Sequence, residues 1–427
     1  MSSPIFEKSL PSSANIHQHR LSNGLTVLIR ENFANPSVVF DASFRAGGIF
    51  NQRKQAGLAN FVSRSLMRGT QHYSFEQINE KIETIGASLG TSSGLHFAGF
   101  SGKCLAEDLE GLLALSAEVI RRPTFPDEQV ELLRREALTG LARRAHNTQA
   151  IAALNADELL FGQEHPYGFS GSGYPETISA MTRQDLQNFH ARHYAPQGCV
   201  LVIVGAIAHQ QAVAWAEQFF GDWENPSAPE IVLPADVAPP AQVVRKFYPI
   251  PGKTQSDIII NFLGPRRSAP DFQAARLANS VLGQFGMMGR VGDIIRIKQG
   301  LAYYVYSSLT ARFGQGDWSI GAGVNPKNVE KAIESALHEV RRMTTELITE
   351  QELADNKSYF MGSLPLQLET NEGVCGSISN LFVYQLGFDY LLNLPNLLNQ
   401  ITREEVLSAA QKYLTPEHCV ITIAGSE

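Results

Sequence analysis

Two stretches of the chain share one pattern of polar and apolar positions. Residues 181–205, MTRQDLQNFHARHYAPQGCVLVIVG, align without a gap with residues 401–425, ITREEVLSAAQKYLTPEHCVITIAG. In each copy a threonine followed three residues later by an acidic residue predicts a helix that opens with a capping box. A proline then ends the helix, and a short apolar, β-branched run predicts a buried strand at 200–204 and at 420–424. The pattern therefore predicts a duplicated fold in which each copy closes one half.

The segment between the two halves has a different composition. Residues 221–242, GDWENPSAPEIVLPADVAPPAQ, hold five of the chain's 21 prolines, which is typical of an extended, semi-rigid linker. We therefore divide the chain into an N-terminal domain, a linker and a C-terminal domain, at residues 1–220, 221–242 and 243–427.

Each half opens with predicted strands and continues into a helical run and a closing strand. The opening strands are predicted at 25–32 and 38–48 in the first half and at 256–265 in the second half. This order predicts an α+β fold of two tandem homologous domains, each a mostly antiparallel sheet with helices on one face.

Composition and charge narrow the class of protein. The 427 residues are 44% hydrophobic and 18% charged, which is ordinary for a globular protein. The net charge of −7 offers no footprint for nucleic acid. The start, MSSPIFEKSL, has no basic stretch followed by an apolar core, and the chain has no apolar window of about 18 residues, so we expect no membrane span and a cytoplasmic protein, or a periplasmic one if a signal was removed.

The cysteines do not suggest a disulfide framework or a redox motif. They are few and scattered, and none forms a C-x-x-C pair. We expect buried, free thiols at Cys104, Cys199, Cys375 and Cys419.

The segment GLANFVSRSLMRGT, residues 57–70, resembles the signature helix of the pitrilysin-type zinc peptidases. This insulinase group contains insulin-degrading enzyme, the mitochondrial processing peptidase and its bacterial relatives. Further segments with similar counterparts in the family, in the same order, are 21–32, 165–186 and 282–308. The resemblance therefore covers the whole chain and implies the two-domain peptidase fold.

The zinc-binding chemistry of that helix is missing. In active members the helix carries H-x-x-E-H, in which two histidines bind zinc and the glutamate activates water. Asn60, Ser63 and Arg64 stand at these three positions. The third ligand, a distal glutamate, would fall at Gly140 or Leu141, and Glu136 is one helical turn away, so we assign it no metal role. The resemblance thus implies a degenerate site, and we expect this chain to bind no cofactor.

Another metal site is not evident in the sequence. The histidine pair at helical spacing, His190 and His193, has Ala410 and Tyr413 at the equivalent places of the second copy. A polar helix face is the simpler interpretation of this pair.

A second functional element of the family is retained. Arg296 and Tyr303 match its arginine–tyrosine pair, with Gly300, Leu301 and Ala302 before the tyrosine as in relatives. The resemblance implies that the arginine binds a substrate carbonyl and that the tyrosine stabilises the tetrahedral oxyanion. The alternative is structural: Arg296 as a solvated helix residue and Tyr303 as a packed strand residue.

Two further segments resemble substrate-contacting parts of the family. The glycine-rich run with Gly286 and Met287 resembles a substrate loop, and its spacing fits no phosphate-binding loop. Residues 86–100 resemble the edge strand onto which a peptide substrate adds by backbone pairing. Gly90, Thr91 and Ser92 would leave room for such a peptide. These small residues suit an ordinary exposed turn equally, and the turn is the favoured interpretation because a chain without zinc cleaves nothing at this edge.

These observations predict a noncatalytic subunit of a heterodimeric zinc metallopeptidase. In some members one subunit holds zinc while the other has lost it and supplies the arginine and tyrosine. We expect this pseudoenzyme to pair with a homologous zinc-bearing subunit, or with itself when isolated, to act on peptides, and to have no metalloendopeptidase activity alone. The alternative is a non-enzymatic scaffold, like the core proteins of the respiratory cytochrome complex. An independent peptidase is disfavoured by the lost ligands.

Overall fold

The computed structural model describes residues 10–226 and 230–426. The predicted chain start and part of the predicted linker lie outside these ranges. The strands are β1 His17–Arg20, β2 Thr26–Glu31, β3 Ser37–Phe44, β4 Ser88–Ser93, β5 Ala98–Leu105, β6 Val200–Gly205, β7 Val244–Pro249, β8 Ser256–Gly264, β9 Ala302–Thr310, β10 Gly316–Val324 and β11 Val420–Gly425.

The helices lie in runs between groups of these strands. They are α1 Leu58–Leu66, α2 Phe75–Thr84, α3 Leu109–Arg121, α4 Asp127–Ala145, α5 Thr148–Phe161, α6 Pro175–Ala180, α7 Arg183–His193, α8 His209–Phe220, α9 Phe272–Asn279, α10 Val329–Thr345, α11 Glu350–Gln367, α12 Asn371–Val383, α13 Tyr390–Gln400 and α14 Arg403–Tyr413. Within the described residues, no helix is both long enough and apolar enough to cross a membrane.

Two compact units are formed, each around its own sheet. The first sheet has the order β1-β2-β6-β3-β5-β4 and the second the order β7-β11-β8-β10-β9. In each sheet one pair of neighbours is parallel, β2 with β6 and β7 with β11, and the other neighbours are antiparallel. Apart from the extra strand β1, the two orders correspond strand by strand. The predicted α+β fold with a duplicated, mostly antiparallel sheet is confirmed.

The repeated helix–strand pattern forms as predicted. In α7 the Thr182 hydroxyl accepts a hydrogen bond from the Asp185 N–H, and the Asp185 carboxylate accepts one from the Thr182 N–H at 2.8 Å. Thr402 and Glu405 make the same reciprocal bonds at the start of α14. The strands that follow, β6 and β11, are buried along their whole length.

The compact units draw on both halves of the chain. The first comprises residues 1–139, 170–232 and 363–394, and the second comprises residues 140–169, 233–362 and 395–427. Helix α12, from the second half, therefore belongs to the first unit, and α5, from the first half, belongs to the second unit. The domain boundaries 1–220, 221–242 and 243–427 remain a prediction from the sequence. They divide the chain into continuous segments, whereas the compact units are each built from several separate segments.

The exchanged helix α12 covers a second face of the first sheet. Val374 and Ile378 pack with Val202 and Val204 of β6, and the Ser379 hydroxyl donates to Asp41 of β3 at 2.8 Å. The opposite face carries Phe40 and Phe44 of β3, Phe100 of β5, and the aromatic residues Tyr194, Phe220 and Trp223 that pack there. Both faces of the first sheet are therefore covered, whereas the sequence analysis predicts helices on one face. This double coverage explains why β6 is apolar throughout.

The histidine pair of α7 is not a solvated polar face. His193 lies between the rings of Phe50 and Phe189, and a nitrogen of His190 contacts the Ile120 carbonyl at 2.7 Å. Burial lowers the pKa of both imidazoles to about 4. The interpretation as a polar face was wrong: the His193 ring is buried and the His190 ring is half-buried.

The four cysteines are free and buried, as predicted. Burial raises the pKa of the Cys104, Cys199 and Cys419 thiols to about 12. A thiol with such a pKa is a poor nucleophile at neutral pH.

Candidate functional site

Helix α1, in the first unit, carries the three degenerate zinc positions. Gly57 precedes the helix with φ = +93°, a conformation that favours glycine, and a Cβ at this position would come within 2.8 Å of Gly173 Cα. The helix buries Leu58, Phe61 and Val62 among other residues. The glycine of the motif is therefore kept for backbone reasons that are independent of catalysis.

The side chains at the three positions do not form a metal site. Asn60 is half-buried and the Ser63 side chain is fully buried. Arg64 points to solvent, and its guanidinium lies 3.5 Å from Glu136 of α4. Arg68, in the turn that follows α1, pairs with the same carboxylate at 2.8 Å. Two guanidinium groups around one carboxylate leave a local excess of positive charge, which disfavours a dication.

The small residues of the predicted peptide-binding edge form strand β4 and not a turn. Gly90, Thr91 and Ser92 lie in this strand, which is at the edge of the first sheet and pairs with β5 on one side. The Thr91 hydroxyl donates to the Ser63 carbonyl at 2.7 Å, so the edge strand is tied to α1. A Cβ at Gly90 would meet no atom within 4 Å. The interpretation of these residues as an exposed turn was wrong.

The second unit brings Arg296 and Tyr303 together. Arg296 lies in a π-helical segment, Gly292–Lys298, and Tyr303 lies near the start of β9, the edge strand of the second sheet. Gly300, with φ = +63°, allows the chain to turn between them. The guanidinium carbon of Arg296 is 6.0 Å from the centroid of the Tyr303 ring. Short π-helical segments are frequent at functional sites.

Both side chains of this pair are available for interaction. The Tyr303 residue is 77% exposed. Asp293, the acidic residue of the same π-helical segment, pairs with Lys298 at 2.7 Å and not with Arg296. Among the described residues, neither the guanidinium of Arg296 nor the hydroxyl of Tyr303 has a hydrogen bond or ion pair. The expectation of a packed tyrosine is therefore wrong for Tyr303.

The glycine-rich run supports this pair by close backbone packing. A Cβ at Gly289 would lie 2.3 Å from Gly283 Cα, and one at Gly292 would lie 1.9 Å from the Gly286 carbonyl oxygen. Arg290 anchors the run through an ion pair with Glu352 of α11, with N–O distances of 2.7 and 2.8 Å. Glycine is thus required for contact between backbone segments, and not for phosphate binding.

The turn Gly286–Met288 lies beside β9. Met287 is 50% exposed and Met288 is 86% exposed, so both present their side chains to solvent next to the strand of Tyr303. The second unit thereby collects Arg296, Tyr303, Gly286 and Met287 on adjacent segments, whereas Gly90, Thr91 and Ser92 lie in the first unit.

Comparison with known proteins identifies the family. A family profile described as Insulinase (Peptidase family M16) matches residues 26–159, and one described as Peptidase M16 inactive domain matches residues 180–360. This chain belongs to the M16 family of peptidases. Asn60, Ser63 and Arg64 stand at the positions where the resemblance to the signature helix leads us to expect the zinc-binding and water-activating residues.

Some M16 relatives are named as proteases and others as non-peptidase homologues. A protein of Mycobacterium leprae named an uncharacterized zinc protease is 26% identical over 96% of this chain and 92% of its own length. A protein of Helicobacter pylori named a non-peptidase homolog is 24% identical over 93% of this chain and 91% of its own length.

Solved structures share the M16 fold over the whole chain. A structure from Pseudomonas fluorescens, titled a peptidase M16 inactive domain, has a TM-score of 0.86 and 26% identity, and covers 97% of this chain and 98% of its own. A structure titled a protease from Helicobacter pylori has a TM-score of 0.88 at 17% identity, over 97% of this chain and 100% of its own, and shows the shared fold alone.

We expect the purified chain to retain no zinc at α1 after treatment with a chelator and gel filtration. The reason is that an amide, a buried hydroxyl and an ion-paired guanidinium cannot replace two imidazoles and a carboxylate. Elemental analysis of the eluted protein measures this. One zinc per chain that survives the chelator would contradict the assignment.

The same reasoning applies to a restored motif. The combined variant Asn60→His, Ser63→Glu, Arg64→His should still bind zinc poorly, because the distal glutamate is absent and position 63 is fully buried. Tight binding by this variant would show that the rest of the metal site has been kept.

Proposed function

We propose that this chain is the noncatalytic subunit of a heterodimeric zinc metallopeptidase of the M16 family. In this proposal it supplies Arg296 and Tyr303 to the active site of a homologous, zinc-bearing subunit that cleaves peptides or small unfolded proteins. One observation carries the proposal. A half-buried arginine and an exposed tyrosine lie together at the family's spacing, in a chain with Asn60, Ser63 and Arg64 at the metal positions of the motif.

The chemistry of the pair suits peptide hydrolysis. Attack of water on a peptide carbonyl places negative charge on the carbonyl oxygen in the transition state. A hydroxyl aimed at this oxygen, such as that of Tyr303, stabilises the charge as it develops. A guanidinium such as that of Arg296 donates charge-assisted hydrogen bonds to a neighbouring substrate carbonyl. The metal and the general base for this reaction are assigned to the partner, and this chain provides neither.

The edge strands support an extended peptide as the substrate. A peptide can add to an exposed sheet edge through main-chain hydrogen bonds, which ask little of its side chains. Gly90, Thr91 and Ser92 on β4 offer such an edge with small side chains. Met287, beside β9, offers a flexible apolar contact of the kind that accepts varied substrates.

The test is reconstitution with a homologous chain that carries an intact H-x-x-E-H motif. Each chain is assayed alone and in a mixture on an unstructured fluorogenic peptide, and the assembly is followed by size-exclusion chromatography. We expect this chain alone to be inactive and the mixture to be far more active than the partner alone.

The other outcomes separate the alternatives. If the mixture assembles but is only as active as the partner alone, the chain is a non-enzymatic scaffold. If this chain alone cleaves the peptide and a chelator abolishes the cleavage, it is an independent peptidase, and the proposal is wrong.

A further inference from the structure

A group of potential metal ligands lies in the first unit, on a different part of its sheet from β4 and α1. His17 is on β1, Glu31 ends β2, and His209 is the first residue of α8. One ligand atom from each of the three residues lies within 4.8 Å of the ligand atoms of the other two. Within the described residues, this is the one group of three or more histidine, cysteine or carboxylate side chains that lie close enough together to share an ion.

The fold builds this group from three separate segments. His17 is the register partner of Ile29, and Glu31 lies two residues beyond Ile29, so His17 and Glu31 are diagonal neighbours on one face of the sheet. Helix α8 packs on β2 and brings His209 to the same place.

Direct contacts hold the three side chains together. The backbone N–H of His209 donates to a Glu31 carboxylate oxygen at 2.7 Å, and Nδ1 of its ring lies 2.7 Å from the same oxygen. The rings of His17 and His209 stack with centroids 3.8 Å apart and planes inclined by 4°.

The donor set is one that zinc uses at open sites. Two imidazoles and one carboxylate bind Zn²⁺ in several catalytic zinc centres, with a water in the fourth position. With metal–ligand distances of about 2.0–2.2 Å, tetrahedral donors stand roughly 3.3–3.5 Å apart. The three donor atoms are within 4.8 Å of one another, but they converge on one ion only when the exposed His17 ring turns out of its stack on His209. The reason is that imidazole lone pairs lie in the ring planes, and two parallel planes do not meet. His17 is exposed, whereas the side chains of Glu31 and His209 are only about one-third exposed, at 32% and 31%. The His17 side chain can therefore move toward an ion while the other two ligands stay in place.

We propose that His17, Glu31 and His209 form a surface site for Zn²⁺ or a similar borderline divalent metal ion. The bound ion would clamp the edge strand β1 to helix α8. The site is exchangeable and not permanent, because its ligands are partly exposed and the positive end of the α8 dipole lies beside it. It is therefore compatible with a chain that loses all zinc to a chelator, and the proposal does not rest on the proposed function.

The test is calorimetric titration of the chelator-stripped full chain with zinc chloride at pH 7.5. We expect one site that binds Zn²⁺ and does not bind Mg²⁺, because Mg²⁺ prefers oxygen ligands in an octahedral arrangement. The melting temperature should rise when Zn²⁺ is added. His17→Gln, His209→Gln and Glu31→Gln should each weaken binding by at least about tenfold, the lower end of the loss seen when the supports of a metal site are removed.

The variants are chosen so that misfolding does not decide the result. Glu31→Gln keeps an oxygen that can accept the hydrogen bond from the His209 N–H, so the start of α8 is preserved. His19→Gln is the matched control, because His19 is an exposed histidine on the same strand and lies outside the group. The absence of zinc binding to the wild-type chain would overturn the proposal. So would binding that the three variants leave unchanged, or that His19→Gln weakens equally.

Discussion

Replacing Tyr303 with phenylalanine should lower the turnover number of the reconstituted heterodimer by ~10²–10³, the loss seen when one oxyanion donor is removed. The substitution keeps the ring beside the Arg296 guanidinium and removes only the hydroxyl. This hydroxyl makes no hydrogen bond to any other described residue. The fold and the assembly should therefore be unchanged, and the loss should fall on turnover. Steady-state kinetics of the heterodimer, with size-exclusion chromatography of the same sample, measure both.

Tyr248→Phe is the matched control for this experiment. It removes a tyrosine hydroxyl from β7, at the opposite edge of the second sheet from Tyr303, and should leave the turnover number unchanged. Full activity of a correctly assembled Tyr303→Phe heterodimer would reject a catalytic role for the hydroxyl and favour the scaffold alternative.

Replacing Arg296 with alanine should raise the Michaelis constant of the heterodimer by roughly 10–100-fold. A hydrogen bond from a charged group to a substrate carbonyl contributes about 1.5–3 kcal/mol, and an arginine that grips substrate and transition state alike affects binding more than turnover. Among the described residues Arg296 makes no ion pair, so its loss should cost little stability. The kinetic constants of the same reconstituted enzyme check this.

Arg245→Ala provides the comparison for the loss of a positive charge. Arg245, on β7, forms an ion pair with Glu330 and should be dispensable for substrate binding. A Michaelis constant that Arg296→Ala leaves unchanged, or that both alanine variants raise equally, would contradict a specific contact between Arg296 and the substrate.

Much of the fold is predictable from the sequence because the signals are local. The two capping boxes depend on residues three positions apart, and both form as the pattern indicates. The strands after them are continuous apolar runs, and they are buried as expected. The degenerate helix was also predictable, since Asn60, Ser63 and Arg64 can be compared with a motif of fixed spacing.

The exchange of α5 and α12 between the two sheets was not predictable, because it depends on which sheet each helix packs against. The sequence of neither segment indicates which of the two sheets the helix will cover. The burial of His190 and His193 escaped prediction for a similar reason. Their surroundings, Phe50 and the Ile120 carbonyl, are distant in the sequence.

The candidate site was only partly accessible from the sequence. The resemblance to the family pointed to Arg296 and Tyr303, but the π-helical segment and the exposure of Tyr303 required the structure. The glycine-rich run could be distinguished from phosphate-binding loops by its spacing. The reason why glycine is required there, close backbone contact at Gly289 and Gly292, could not be predicted. His17, Glu31 and His209 carry no motif, since they are far apart along the chain and meet only in the folded sheet.

Photocrosslinking from position 303 tests most directly whether Tyr303 contacts a peptide held in the active site of the partner. An azidophenylalanine replaces Tyr303, and the chain is paired with a zinc-bearing partner whose motif glutamate is changed to glutamine, so that a labelled peptide is held and not cleaved. The same group at Phe247, which is 36% exposed on β7 at the opposite edge of the sheet, is the control. We expect the peptide to be labelled from position 303, only when the partner is present, and not from position 247. Labelling that does not need the partner, that is equal from both positions, or that never reaches the peptide would contradict it.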